Sequence, residues 1–178
     1  MPQVKACHIG PMITDSARLG LAYAERLLKD IPADKFARLA TVGGQAIESN
    51  HPAFIFGHLS LYPCRIVADL GGDTGQIEPS EEFQQLFAPS AHCVDDPDGT
   101  VYPPMEQVTE RFFTSHRLAM ETLQSADDSQ FMGINPNEQM RGKFATAGAM
   151  HAFYVGGHLM LHLGQLSAWR RVWGLPPA

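Results

Sequence analysis

The stretch from about residue 146 to residue 173 constrains the fold most, because its apolar residues recur at helical spacing over its length. It ends in the sequence GLPP, in which Gly174 suits a helix C-cap and the two prolines stop the helix. At a rise of 1.5 Å per residue, the helix would be about 40 Å long. Residues 146–173 therefore predict one long helix, the last of four.

A first helix is predicted near residues 15–31, with Thr14 or Asp15 as its N-cap and Pro32 just past its end. The sequence PADKFARLATVGGQAIES that follows predicts a connection with a break at its glycine pair. Apolar residues recurring at i, i+3, i+7 and i+10 indicate one buried face of this helix, formed by Leu21, Ala24, Leu28 and Ile31.

A second helix is predicted over the sequence NHPAFIFGHLSLYPCRIVADLGG, with Asn50 or His51 as its N-cap. Pro52 would lie in its first turn, where the missing N–H of proline costs nothing. The glycine pair at residues 71–72 should end this helix. Pro63 lies inside the pattern, and we expect it to kink the helix or to split it in two.

Residues 73–103 are rich in Asp, Gly, Ser and Pro, and predict a long connection that is either a crossover or a lid. Within this connection, the sequence PSEEFQQLFA predicts a short helix capped by Ser80. A third helix should start after the sequence YPP and run to about Ala126. Its inner face is expected to carry Val108, Phe112, Ala119 and Leu123.

Four long helices, with the 73–103 connection between the second and the third, predict an all-α protein: a four-helix bundle with a long crossover. A length of 178 residues suits one domain with a sizeable core. No shift in composition marks a boundary, so we expect a single domain over residues 1–178.

Composition and charge exclude several classes of function. The formal net charge is −6 and no basic face is visible, so we expect no nucleic-acid partner. No apolar run reaches the ~20 residues that span a bilayer. The sequence MPQVKACHIGPMITDS lacks the apolar region of a signal peptide, so we predict a cytoplasmic protein outside the membrane. Cys7, Cys64 and Cys93 form no CxxC pair, which argues against a disulfide framework and a cysteine zinc site.

The fourth helix carries a stripe of polar and aromatic side chains. His158 and His162, four residues apart, can direct their ring nitrogens at one atom, as two metal ligands on a helix usually do. A third ligand must come from another helix, and His58 is the best candidate because the apolar sequence FIFGHLSLY surrounds it. Residues four or seven positions apart lie close to the same angular position around an α-helix. By this spacing the whole stripe comprises His151, His158, His162, Gln165 and Trp169.

Three histidines would leave an open coordination position on a zinc-like ion, as catalytic sites do. Leu159 follows His158, so the HExxH motif of zinc proteases is absent. Three glycines flank the pair, which suggests close helix contact or room for a ligand: Gly156, Gly157 and Gly164. The alternative interpretation is that these histidines are core residues bonded to carbonyl groups.

The sequence GHL in the second helix, together with HLMLHLGQLSAWRRVWGLPP at the end, resembles the DinB-like superfamily of metal-binding four-helix bundles. The similarity extends over nearly the whole chain in helix order and length, and is most specific in the last helix. It implies that His58, His158 and His162 bind a divalent metal, for which we expect zinc or nickel. It also implies a homodimer, and an activity such as that of the thiol S-transferases and thiol-dependent isomerases in this family, which use a low-molecular-weight thiol.

Three further residues are candidates for the pocket or for contacts to the ligands. His151 lies ~10 Å along the helix axis from His158, too far to share its metal. It could line the pocket or bind substrate, or be a partly exposed or carbonyl-bonded histidine. Gln165 could hydrogen-bond a metal ligand or substrate, or simply pack. His116 is expected in the core or behind the ligands rather than as a fourth ligand.

The resemblance implies a metal-dependent thiol S-transferase or a related enzyme acting on a small-molecule substrate. The metal would hold a bound thiol as thiolate. One alternative is a hydrolase that uses metal-bound hydroxide with a general base from His151, Gln165 or the 73–103 segment. Another is a non-catalytic bundle that binds metal or dimerises, which a fourth protein ligand such as His116 would favour. The sequence predicts three metal ligands but assigns no catalytic residue.

Overall fold

Helices dominate the computed structural model of the protein, which describes residues 8–178, and the predicted all-α class is confirmed. A two-stranded antiparallel hairpin, β1 (Thr41–Val42) and β2 (Gln45–Ala46), turns at the predicted glycine pair. A π-helical segment, Phe153–His158, joins the last two helices. The helices are α1 (Ile9–Leu28), α2 (Pro52–Leu59), α3 (Leu61–Asp69), α4 (Glu81–Phe87), α5 (Met105–Ser125), α6 (Asp128–Phe131), α7 (Ala147–Ala152) and α8 (Leu159–Val172).

Helix α5 contacts three other long elements, since α1, α2 and α3 all pack against it, and α8 packs on α1 and α2. The predicted inner face of α5 is confirmed, because all four of its predicted residues are fully buried: Val108, Phe112, Ala119 and Leu123. No helix in residues 8–178 is long and apolar enough to cross a membrane.

The predicted start of α1 is wrong, because the helix begins at Ile9 and not near residue 15. The backbone N–H groups of His8 and Ile9 both donate to the Asp128 carboxylate, at 3.0 Å, so a side chain from α6 satisfies the free N-terminal donors. Small residues define the buried face of α1, and the predicted Leu21 and Leu28 are only partly buried. The face consists of Gly10, Thr14, Ala17, Gly20, Ala24 and Leu27.

The second predicted helix divides at Ser60 into α2 and α3, which confirms the effect expected of Pro63. Proline has no N–H for the Leu59 carbonyl, and its ring excludes that carbonyl from a helical position. At the start of α2, the ring nitrogen Nδ1 of His51 accepts the N–H of Phe54 at 3.2 Å, so His51 is the N-cap.

The 73–103 connection is anchored to the helices at α4. The Ser80 hydroxyl accepts the N–H of Phe83 at 3.2 Å, which confirms the predicted cap of this short helix. Phe87, the last residue of α4, is fully buried and packs on α2. Contact is so close that a Cβ atom added to Gly57 would lie 2.3–2.5 Å from the Phe87 ring.

The last predicted helix runs from α7 to α8 as expected, with Thr146 as its N-cap, but its middle is π-helical. A π-helical turn holds more residues than an α-helical turn, so positions before and after it do not share the face that α-helical spacing predicts. The three glycines make no close helix contact: Gly156 and Gly164 face open space, and Gly157 meets only the Phe153 ring.

We expect Gly57→Ala to lower the free energy of unfolding by about 1–3 kcal/mol, because the new methyl group would overlap the Phe87 ring. Urea unfolding followed by circular dichroism measures the change. Gly164→Ala is the matched control, since the same substitution there meets no atom and should stabilise α8 by up to about 1 kcal/mol. Equal effects at the two positions would contradict the close contact of α4 with α2.

Candidate metal centre

Three histidine side chains from two parts of the chain meet at one point. His58 lies in α2, His158 ends the π-helical segment and His162 lies one turn later in α8. The Nε2 atom of His158 is 3.1 Å from that of His162 and 3.4 Å from that of His58. The structure therefore brings together the three residues predicted as metal ligands, and they could hold a metal ion.

The spacing of the three Nε2 atoms matches the spacing of ligands around a transition-metal ion. Nitrogens about 2.1 Å from an ion lie about 3.4 Å apart at a tetrahedral angle and about 3.0 Å apart at a right angle. The observed 3.1 and 3.4 Å span these two values, so they do not select one geometry. The donor set is made of imidazoles alone, which suits zinc, nickel, copper and iron.

The orientation of the His58 ring is fixed by a hydrogen bond to the backbone. Its Nδ1 atom lies 2.8 Å from the carbonyl oxygen of Phe87, at the end of α4. A carbonyl can only accept, so Nδ1 carries the proton and Nε2 keeps its lone pair for the centre of the cluster. The Phe54 ring stacks on the His58 ring with centroids 6.1 Å apart, which holds its plane.

The His162 ring is held by Gln165, which is one of the roles that the sequence left open for this residue. Nδ1 of His162 donates to the Gln165 side-chain oxygen at 2.9 Å, and the Asn50 amide donates to the same oxygen at 3.1 Å. The Asn50 contact orients the Gln165 amide and so selects the tautomer in which Nε2 of His162 is free to coordinate. Asn50 was not predicted in this role.

Burial keeps all three rings neutral, which is the form that binds metal. Burial is the main cause that lowers the pKa of His58, His158 and His162, and the pKa of His158 falls to about 3 because the other two histidines add to the effect. The Nδ1 atom of His158 is buried without a hydrogen-bond partner. The cluster thus contains a polar atom that the protein does not satisfy.

His151 does not belong to the cluster. The alternative of a partly exposed or carbonyl-bonded histidine is wrong, and a role in lining the pocket stays a prediction. Its ring is fully buried, and Nε2 lies 3.1 Å from a carboxylate oxygen of Asp69 in α3. The π-helical segment separates His151 from His158, so the seven-residue spacing does not place both on one face.

His116 lies in the core, as expected, and is not one of the clustered ligands. Its Nδ1 atom donates to the Phe112 carbonyl at 2.8 Å, and its side chain is fully buried in α5. Burial lowers the pKa of His116 to about 4, so the ring is neutral at physiological pH.

Tyr62 belongs to the cluster, although sequence reasoning missed it. Its hydroxyl donates to Nε2 of His58 at 3.1 Å, and its ring centroid is 4.4 Å from that of His158. Burial raises the pKa of Tyr62 to about 12, so the group is a phenol and not a phenolate. The four-residue spacing between His58 and Tyr62 was the available signal, but the helix break expected at Pro63 obscured it.

The chain matches no protein-family model, no curated protein and no solved structure with which it was compared. Membership of the DinB-like superfamily therefore stays a prediction from the motifs of the second and last helices. The three-histidine geometry is independent of that similarity, because it follows from the distances between side chains.

The free energy of unfolding should fall as the pH drops from about 6.5 towards 4. Folding lowers the pKa values of His51 and His116 from 6.5 to about 4, so as the pH falls the unfolded chain takes up protons before the folded protein does. The contribution of these two groups to the free energy of unfolding is therefore fully present only above about pH 6.5. Each such group contributes a slope of up to about 1.4 kcal/mol per pH unit.

Denaturant unfolding at several pH values measures this slope. His116→Gln should give a shallower slope than the wild type by about one proton, since glutamine does not titrate. His51→Asn should do the same while it retains an N-cap at α2. An unchanged slope in both variants would contradict the neutral, buried state of these histidines.

Proposed function

We propose that this protein is a DinB-like, divalent-metal-binding enzyme, most simply a metal-dependent thiol S-transferase that acts on a small molecule. One observation carries the proposal: three neutral imidazoles converge on a point, and within residues 8–178 no carboxylate, thiol or fourth histidine joins them. Three protein ligands with one open position are typical of catalytic rather than structural metal sites.

The proposal includes the architecture of this family. Helices α2 and α3 can be counted as one interrupted helix, and α7 and α8 as another. Together with α1 and α5 they would form a four-helix bundle, and the 73–103 connection would be its crossover. The contacts of α5 with α1, α2 and α3, and of α8 with α1 and α2, support this arrangement. The homodimer, the cytoplasmic location and the preference for zinc or nickel stay predictions.

A thiol is favoured over water as the nucleophile because the candidates for a general base are otherwise engaged. His151 is fully buried against Asp69, and the Gln165 oxygen already accepts two hydrogen bonds. The 73–103 segment contacts His58 through the carbonyl oxygen of Phe87. A carbonyl cannot take up a proton at neutral pH, so this group cannot be the general base. A bound divalent ion lowers the pKa of a coordinated thiol and makes it a nucleophile at neutral pH without such a base.

The thiol should come from a cosubstrate and not from the protein. Cys64 and Cys93 are free, but neither belongs to the histidine cluster. Burial raises the pKa of both, to about 11 for Cys93, so these cysteines are thiols at neutral pH. Cys7 lies outside the described residues.

Turnover can be tested with a simple electrophile such as chlorodinitrobenzene and a panel of thiols, including cysteine and glutathione. The carbon–sulfur bond forms as the carbon–chlorine bond breaks, chloride leaves, and the thiol proton passes to the buffer. We expect thiol-dependent release of chloride from the electrophile. This release should disappear when the metal is removed and return when zinc or nickel is added. Metal-dependent cleavage of a nitrophenyl ester without thiol would instead support the hydrolase.

The metal site itself can be tested by elemental mass spectrometry on protein purified without chelator or polyhistidine tag. We expect about one divalent ion per chain in the wild type, and its loss from His58→Ala and His162→Ala, because each variant removes one of the three converging nitrogens. Circular dichroism should show that both variants stay folded. His116→Gln is the matched control, since it removes a buried histidine outside the cluster and should retain the metal.

Gln165→Leu should weaken metal binding by about 10- to 100-fold, because His162 would lose the acceptor that fixes its ring. Competition with a chromophoric chelator measures the affinity. Gln165→Glu keeps an acceptor oxygen at the same position and should bind metal at least as well as the wild type. If the leucine variant bound metal as tightly as the wild type, Gln165 would have only a packing role.

A further inference from the structure

The hydroxyl of Tyr62 lies within hydrogen-bond distance of the atom that would coordinate the metal. It is 3.1 Å from Nε2 of His58, and the tyrosine side chain is 8% exposed. The ring centroid lies 4.4 Å from that of His158 and 4.7 Å from that of Tyr154. These contacts hold the ring, so the position of the hydroxyl is set by packing and not by its hydrogen bond alone.

A metal ion and the Tyr62 hydroxyl compete for the same lone pair. The Nδ1 atom of His58 carries the ring proton, because it faces the Phe87 carbonyl, so Nε2 has a single lone pair. When Nε2 coordinates an ion, it can no longer accept from Tyr62. The hydroxyl then needs another acceptor, and leaving a buried donor unpaired would be unfavourable.

The cationic side chain of Arg65 lies over the Tyr62 ring. The Arg65 guanidinium lies 5.4 Å from the Tyr62 ring centroid, and the residue is exposed. Within residues 8–178 no carboxylate forms an ion pair with Arg65, so its charge is not neutralised locally. Together with the charge of a bound divalent ion, it favours a negatively charged ligand over a neutral one.

We propose that Tyr62 is a positioning residue that donates a hydrogen bond to the ligand atom at the open coordination position, and that this ligand is an anion held through a sulfur, oxygen or nitrogen atom. This inference depends on the proposed metal site. Tyr62 would select ligands whose donor atom retains a lone pair after it has bound the metal. A thiolate meets this requirement, whereas a nitrogen of neutral imidazole does not.

Cobalt-substituted protein can test this role, because the visible absorption of cobalt reports ligands at the open position without any assay of activity. Azide and imidazole are the two probes: azide is an anion whose bound nitrogen keeps a lone pair, and imidazole is neutral and keeps none. The cobalt content of the wild type is measured first, so that failure of the metal site is distinguished from failure of the Tyr62 role.

We expect Tyr62→Phe to retain about one cobalt per chain and to bind azide about 10- to 100-fold more weakly, as the loss of one hydrogen bond to an anion predicts. Its affinity for imidazole should change by less than about twofold. Tyr154→Phe is the matched control, because it removes the same atom from the adjacent ring, whose hydroxyl bonds none of the three histidines; azide should bind it as tightly as it binds the wild type. Arg65→Gln should lower the affinity for azide only at low salt, because salt screens an exposed charge.

Four results would overturn the inference. If azide bound Tyr62→Phe as tightly as the wild type, the hydroxyl would have no role at the open position. If the binding of azide and of imidazole weakened equally, the ring would be a packing element. Loss of cobalt from Tyr62→Phe alone would make the tyrosine a metal ligand. If the wild type bound no cobalt, the proposed metal site would fail, and this inference with it.

Discussion

The close contact of α4 with α2 is the constraint on which the histidine cluster depends. Gly57 has no side chain, so the Phe87 ring can lie against the α2 backbone, where any larger residue would overlap it. This approach brings the Phe87 carbonyl within 2.8 Å of Nδ1 of His58, which fixes the tautomer of the neighbouring residue. A glycine and an aromatic residue thus determine which nitrogen of a histidine is available to a ligand.

The cluster is polar and buried, so its hydrogen bonds decide whether it is stable. His58 and His162 each have an acceptor for the outer nitrogen, but Nδ1 of His158 has none. An unpaired buried polar atom costs about 1–3 kcal/mol. The neutral rings also gain little from one another, although Nε2 of His158 lies 3.1 Å from that of His162 and 3.4 Å from that of His58. The energy of binding a cation would offset both costs, which gives a physical reason for these residues to stand together.

Local signals predicted the elements that local chemistry controls. Ser80 and His51 cap their helices as expected, because a side-chain acceptor next to a helix start acts over a few residues. The break before Pro63 follows from the covalent structure of proline. The start of α1 could not be predicted in this way, since the donors at its first turn are satisfied by Asp128, about 120 residues later in the chain.

The same division holds at the site. The sequence by itself determined the two histidines of the last helix, because four-residue spacing places them side by side whatever surrounds the helix. It also indicated His58, through the apolar residues around it. Only the tertiary structure decided that His151 pairs with Asp69 and that Tyr62 reaches the cluster. The reason is that the π-helical segment changes which residues share a face, and that the partners come from other elements. Asp69 lies 82 residues before His151, and Tyr62 meets His158 where α3 packs against the π-helical segment.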